Sequence, residues 1–259
     1  LKKWLEEKLG LQYLFAPASS RIVQTTPFAP DVVLVHSLHG GGGYFDLADM
    51  ERLSKRQPTF VYLQDQWLMT GHCAYSLGCE RWRAGCGSCP DLSIYPELKK
   101  DGTARNFRRK RRMVRRSRLK VGSPARWILG LAKASPILEG FDQYYIPNAV
   151  DPEKFFPGDK AEARRKLGLD PAMPMVLFLA QKGSRSAFKD FDTLAEAFRL
   201  LRKEGGQATL LTVGGTPDAD TLAALPQDVQ FRPFSAHRAL LAQSYRAADL
   251  SCHATKAAP

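Results

Sequence analysis

Along almost the whole chain, short apolar runs of β character alternate with stretches of helical period, and that alternation constrains the fold more than any other feature. The strand candidates are 31-DVVLVH-36, 59-TFVYLQ-64, 118-RLKVGS-123, 143-QYYIP-147, 175-MVLFLA-180, 208-ATLLTVG-214 and 249-DLSCH-253. Helical patterns separate them at 46-DLADMERLSKR-56, 125-ARWILGLAKA-134, 161-AEARRKLG-168, 190-DFDTLAEAFRLLRKEG-205 and 236-AHRALLAQSYRAA-248. Several strands are apolar throughout, as strands buried on both faces must be, so the expected fold class is α/β with parallel sheets and helices on both sides. The order breaks once, at 147-PNAVDPEKFFPGDKAEA-163, where three prolines and charged residues interrupt the apolar pattern. With 259 residues, 44% of them hydrophobic, the chain is long enough for two domains. They are expected at 1–152 and 153–259, with a ligand in a cleft between them.

The net charge of +12 has one source. Lys99 to Arg126 holds thirteen Lys/Arg and a single acid, Asp101, so the rest of the chain is electrically balanced. Within it, residues 104–120 read as a basic helix with a thin apolar seam at Phe107, Met113, Val114 and Leu119. Such a helix suits a polyanion: anionic lipid head groups, diphosphates or nucleic acid. The alternative is a solvated face with no partner. No window reaches the roughly 18 apolar residues of a membrane span, and LKKWLEEKLG lacks the apolar core of a signal peptide, so a cytoplasmic location is expected.

Polar residues just after the strands are the candidate site. His39 and the glycines of 36-HSLHGGGGYFDL-47 follow one strand, where backbone N–H groups suit an anion or sugar, or merely make a flexible turn. Asp65 and His72, in 62-YLQDQWLMTGHC-73, follow another and are candidates to take a proton from a hydroxyl; His72 is equally readable as a metal ligand or a polar loop residue. In the second unit, Lys182, Arg185 and Lys189 gather where a strand leads into a helix, which suits a diphosphate. Gly214 and Gly215 end a further strand and would let a nucleotide approach the backbone.

The Cys-rich loop 71-GHCAYSLGCERWRAGCGSCP-90 spaces Cys73, Cys79, Cys86 and Cys89 as C-x5-C-x6-C-x2-C. Four thiolates could close a structural zinc site, with Arg81 and Arg83 offsetting their charge. Unliganded thiols packed in a loop, an iron–sulfur cluster and a redox pair are the other readings.

Taken together, 64-QDQWLMTGHCAYSLGCERWRAGCGSCPDLSIYP-96 resembles the motif HDxWxxTGHCxYxxxCxxWxxGCGxCPxLxxYP of one polysaccharide-biosynthesis branch of the family 4 retaining glycosyltransferases. The resemblance continues through 123-SPARWI-128, 146-IPNAVDPEKFFP-157, 188-FKDFDTLAEAF-198 and 245-YRAADL-250. It implies the GT-B fold, two Rossmann-like domains facing a cleft, the first acceptor-side and the second binding the nucleotide sugar. It implies transfer of a sugar from a nucleoside-diphosphate donor to a glycan or lipid-linked hydroxyl with retained configuration, Lys189 with Lys182 or Arg185 stabilising the leaving diphosphate. The chemistry needs no cofactor, so zinc would be structural. The basic helix would then dock on the anionic inner face of the cell membrane, and nucleic acid is not an expected partner. Gln64 stands where the branch has a histidine, which leaves Asp65 or His72 as the base, or none. Ala149 replaces the glycine of the NGVD turn. The family's glutamate motif would follow Pro259, so the resemblance implies a fragment, truncated at both ends and inactive alone. Two rival readings are a zinc-containing nucleic-acid-binding protein and a non-catalytic relative that binds nucleotide sugars.

Overall fold

A computed structural model describes residues 2–13, 16, 19–39, 45–180, 188–215, 217, 225 and 228–256. The chain divides into two compact units, Leu1–Asn148 and Ala149–Ala258. Among the described residues each carries one four-stranded, all-parallel sheet.

In the first unit the order is α1 (Lys2–Leu9), β1 (Val33–His36), α2 (Leu47–Arg56), β2 (Thr59–Tyr62), α3 (Thr103–Arg116), β3 (Leu119–Ser123), α4 (Arg126–Lys133) and β4 (Gln143–Tyr145). The strands lie in the order β1-β2-β3-β4, with Val35 beside Val61 and Val61 beside Val121. Those valines meet Met50 of α2, Val114 of α3 and Ile128 of α4 in one core. Helix α2 starts where the sequence signals it: the Asp46 side chain accepts from the Ala48 N–H, and Lys55 and Arg56 sit in the last turn.

Helix α3 is shorter than the expected basic helix, because Leu119 is taken by the sheet as the partner of Thr59. Its buried seam is Asn106, Phe107, Lys110, Met113 and Val114, so the seam includes a lysine. Helix α1 and the start of α3 are joined at a close approach. A Cβ on Gly102 would lie 2.1 Å from the Gly10 carbonyl oxygen, so neither position has room for a side chain. Asn106 locks that contact, donating to the Gly10 carbonyl at 2.9 Å and accepting from the Gln12 N–H at 3.2 Å.

The second unit runs α5 (Lys160–Lys166), β5 (Met175–Leu179), α6 (Phe191–Lys203), β6 (Thr209–Val213), β7 (Val229–Arg232), α7 (Arg238–Ala247) and β8 (Leu250–Cys252), with the strands ordered β7-β6-β5-β8. Alternation along its apolar strands fills both faces of the sheet. Phe178 and Leu210 pack with Phe191, Leu194 and Phe198 of α6 on one side, while Met175, Leu177, Leu211 and Val213 pack with Ala163 and Ala247 on the other. Buried Arg164 ties α5 to this core, donating to the carbonyls of Ala247 (2.9 Å) and Pro171 (2.8 Å) and pairing with Asp249. Helix α1 and strand β7 have no counterpart among the sequence-derived elements; 229-VQFR-232 is too short and mixed to read as a buried strand.

Candidate functional site

Ligands of open parallel sheets bind at the carboxyl ends of the strands. In the first unit those ends carry His39, three residues beyond β1, and Asp65, three beyond β2. Asp65 Oδ1 accepts from the Trp67 N–H at 2.8 Å, which starts a 3-10 turn over Trp67–Met69. Its other oxygen lies 3.3 Å from His39 Nε2. The imidazole stacks on the Trp67 indole at a ring separation of 5.6 Å, and the indole N–H donates to Gln12 Oε1 at 3.0 Å. Lys110 rises beneath the same turn. Its ammonium donates to the carbonyls of Trp67 (2.5 Å) and Thr70 (3.0 Å) and sits 3.6 Å from the indole centroid.

Burial sets the protonation of this cluster. It pushes Asp65 up to about 6, against the lowering effects of the Trp67 N–H and of Lys110. Burial, helped by Lys110, holds His39 down at about 4. Lys110, with no exposed surface, falls to about 7, opposed in part by Cys73, Cys86 and Asp65. At neutral pH, then, Asp65 is ionised and His39 is neutral, so their contact is an N–H to carboxylate hydrogen bond rather than an ion pair. With Nε2 donating, His39 Nδ1 is the lone-pair nitrogen, and it is buried without a partner among the described residues.

His72 lies apart from this pair, contrary to its candidacy as a base. It is 1% exposed, with Nδ1 3.1 Å from the Pro96 carbonyl and Nε2 3.3 Å from Cys89 Sγ. Both ring nitrogens are engaged in fastening the Cys-rich loop to the segment behind it. Cys73, Cys79, Cys86 and Cys89 line one small cavity with His72, of about 20 Å³, and all are free thiols. Among the described residues no three His, Cys, Asp or Glu side chains are placed to hold a metal ion, so zinc is not supported. The local chemistry favours neutral thiols: burial raises Cys73 and Cys89 and pushes Cys86 up to about 11. Cys86 Sγ instead accepts from the Gly71 N–H at 3.2 Å.

In the second unit, Lys189 directly precedes Asp190, the N-cap of α6, whose side chain accepts from the Thr193 N–H at 3.4 Å. Lys189 pairs with Thr255 in an antiparallel bridge, and its ammonium lies 2.6 Å from His253 Nε2. Burial lowers both groups, and Lys189 lowers His253 further, so the imidazole is a neutral acceptor of the ammonium's proton. Lys256 reaches the same helix start, 4.0 Å from Asp190. Gly214 takes φ 124° at the end of β6 and donates to the Arg232 carbonyl at 3.1 Å, with Gly215 next to it. Lys182 and Arg185 lie outside the described residues. One cavity of this unit, about 690 Å³, is lined by Phe155, Phe156, Leu241 and Tyr245 and holds one charged side chain, Arg246. Its guanidinium is engaged by the carbonyls of Phe156 (2.9 Å) and Lys154 (3.0 Å), so the cavity offers little chemistry.

Sequence reasoning singled out His39 but passed over Lys110, His253 and Lys256. His39 was signalled only by its place between a strand and a glycine run. Lys110 was counted as surface, although its spacing of three from Phe107 and from Met113 puts it on the apolar seam. His253 and Lys256 carried no signal, because only the β8–β5 pairing brings them to α6.

No family model matches the chain. Over 68 residues it is 40% identical to a protein of Escherichia coli (strain K12) provisionally named colanic acid biosynthesis glycosyl transferase WcaC, a match covering 25% of this chain and 17% of that protein. Over 118 residues it is 39% identical to D-inositol 3-phosphate glycosyltransferase of Nocardia farcinica (strain IFM 10152), covering 40% of this chain and 25% of the relative. Both matches therefore span only a minor part of the relatives' length. Among solved structures, Anabaena Alr3699/HepE in complex with UDP-glucose superposes with a TM-score of 0.57 at 18% identity, covering 93% of this chain and 57% of that one. Its complex with UDP gives 0.56. The fold is of the GT-B type. Each half is a Rossmann-like α/β unit, as the alternation of elements implies.

Proposed function

We propose that the protein is a glycosyltransferase that moves a sugar from a nucleoside diphosphate to a hydroxyl acceptor with retained configuration, in the synthesis of a cell-surface polysaccharide at the inner face of the cell membrane. The observation that carries this reading is the placement of reactive groups at the carboxyl ends of both sheets. The first unit has a carboxylate and an imidazole there, and the second a cationic helix start. The relatives named as glycosyltransferases, and a similar fold solved with UDP-glucose, support it.

In this mechanism Lys189, with Lys182 or Arg185 and the α6 N-terminus, stabilises charge growing on the leaving diphosphate. Gly214 and Gly215 leave the backbone open to the nucleotide. Asp65 accepts a hydrogen bond from the acceptor hydroxyl, and its value of about 6 suits a group that takes a proton near neutrality. His39 N–H fixes the orientation of that carboxylate. The proton passes to Asp65 or to the departing diphosphate. No step passes through His72.

Calorimetric titration of the chain with UDP-glucose and, separately, with duplex DNA tests the proposal. The expected result is UDP-glucose binding that weakens by roughly tenfold or more in Lys189→Ala, since hydrogen bonds to charged groups carry that much. Duplex binding with a steep salt dependence, and no binding of the nucleotide sugar, would defeat it.

A further inference from the structure

Beside the His39–Asp65 pair lies a groove of about 400 Å³, within the range of small-molecule sites. Its walls come from the end of α1, the residues after it and the loop 93–99, and His39 forms part of its wall. Tyr95, 48% exposed, offers an accessible ring whose centroid is 5.5 Å from the His39 ring. Leu11, Pro96 and Leu98 add apolar wall, and the charged lining is Glu6, Glu7 and Glu97 with Lys99, which pairs with Glu7 at 3.0 Å, while Arg109 behind the wall is close enough for Glu6 to act on it. In a chain of net charge +12, this groove is acidic.

That balance selects the ligand. Even with Lys99 on Glu7 and Arg109 near Glu6, three glutamates outnumber the cations at this wall, which disfavours a phosphate or an anionic head group, whose charge the basic α3 would welcome instead. A neutral polyol meets no such penalty: its hydroxyls donate to carboxylates, and its C–H face packs on an aromatic ring, whose face carries negative potential. The wall is held firmly. The His39 carbonyl accepts from the Tyr13 hydroxyl at 2.8 Å, and Arg109 of α3 donates to the Gln12 carbonyl at 2.9 Å.

We infer that this groove binds a neutral saccharide, the non-reacting part of the acceptor, and so brings one of its hydroxyls to the His39–Asp65 pair. The inference rests on the glycosyltransferase reading and narrows its acceptor class to an uncharged glycan. Binding of neutral glucose, galactose and mannose tetrasaccharides is measured by saturation-transfer NMR and calorimetry on the chain and on Tyr95→Ala and Glu97→Gln, both changed at exposed positions. The expected result is that at least one tetrasaccharide binds the unaltered chain and binds roughly tenfold more weakly to each variant, as loss of a central aromatic contact does, while the Kd for UDP-glucose stays the same. Equal binding by the variants overturns the site. So does failure of every neutral tetrasaccharide to bind while vesicles containing a polyprenyl phosphate do. If tetrasaccharides bind through Tyr95 and Glu97 but UDP-glucose does not bind at all, the groove stands and the transferase reading falls.

Discussion

At the scale of single residues, the candidate cluster at Asp65 is also a source of instability. Asp65 is protonated up to about 6 in the folded chain but only to about 3.8 when unfolded, so between those values the folded state holds more protons and stability falls as pH rises. Above pH 6 the penalty is fully present, on the order of 2–3 kcal/mol. Asp65→Asn keeps an oxygen to accept from Trp67 and removes the charge. Urea unfolding at pH 4 and pH 7 is therefore expected to show the variant gaining stability on the parent only at the higher pH. The thiols make the opposite kind of statement. Cys86, pushed up to about 11, should be among the slowest to alkylate at neutral pH, and chelators should leave the unfolding midpoint unchanged. Stoichiometric zinc that stabilises the fold would contradict this.

At the scale of elements, α3 shows why composition misleads. Its arginines mark it as surface, and most of them are exposed, yet Lys110 between Arg109 and Arg111 has no exposed surface. Lys110→Ala would open a cavity and strip a donor from the Trp67 and Thr70 carbonyls; the expected loss is about 2–5 kcal/mol. Arg111→Ala, one residue on, should change stability by less than about 0.5 kcal/mol. Thermal unfolding of the two variants checks the contrast. The helical period held the information, since residues 107, 110, 113 and 114 share one face; charge alone concealed it. The Gly10–Gly102 approach is similar. Nothing in the sequence links the two glycines, and only the fold shows that the two backbones touch. Gly102→Ala is expected to cost at least about 1–3 kcal/mol, from the overpacking.

At the scale of the whole molecule, the sequence disclosed what depends on local period and withheld what depends on pairing. Strands apolar on both faces announced parallel sheets, and the places of Asp65 after a strand and of Lys189 before a helix were legible because strand ends and helix starts are local features. The partnership of His39 with Asp65 spans two strands, and that of Lys189 with His253 depends on which strand lies beside β5. Neither follows from spacing. Charge distribution, by contrast, is visible in the chain and persists in the fold: Arg105, Arg108, Arg111, Arg112, Arg115, Arg116 and Arg118 are all exposed, and Arg115 has Glu139 at 2.9 Å. A helix with that face should bind vesicles containing anionic lipid and ignore neutral ones. The attraction is long-range and solvent-exposed, so raising salt from about 0.1 M to 1 M, which shortens the screening length from about 10 Å to 3 Å, should release it. Arg108→Glu with Arg112→Glu should abolish co-sedimentation with such vesicles without altering the Kd for UDP-glucose. Equal binding to neutral vesicles, or binding that survives high salt, would instead assign the contact to exposed apolar surface and leave the arginines as a solvated face.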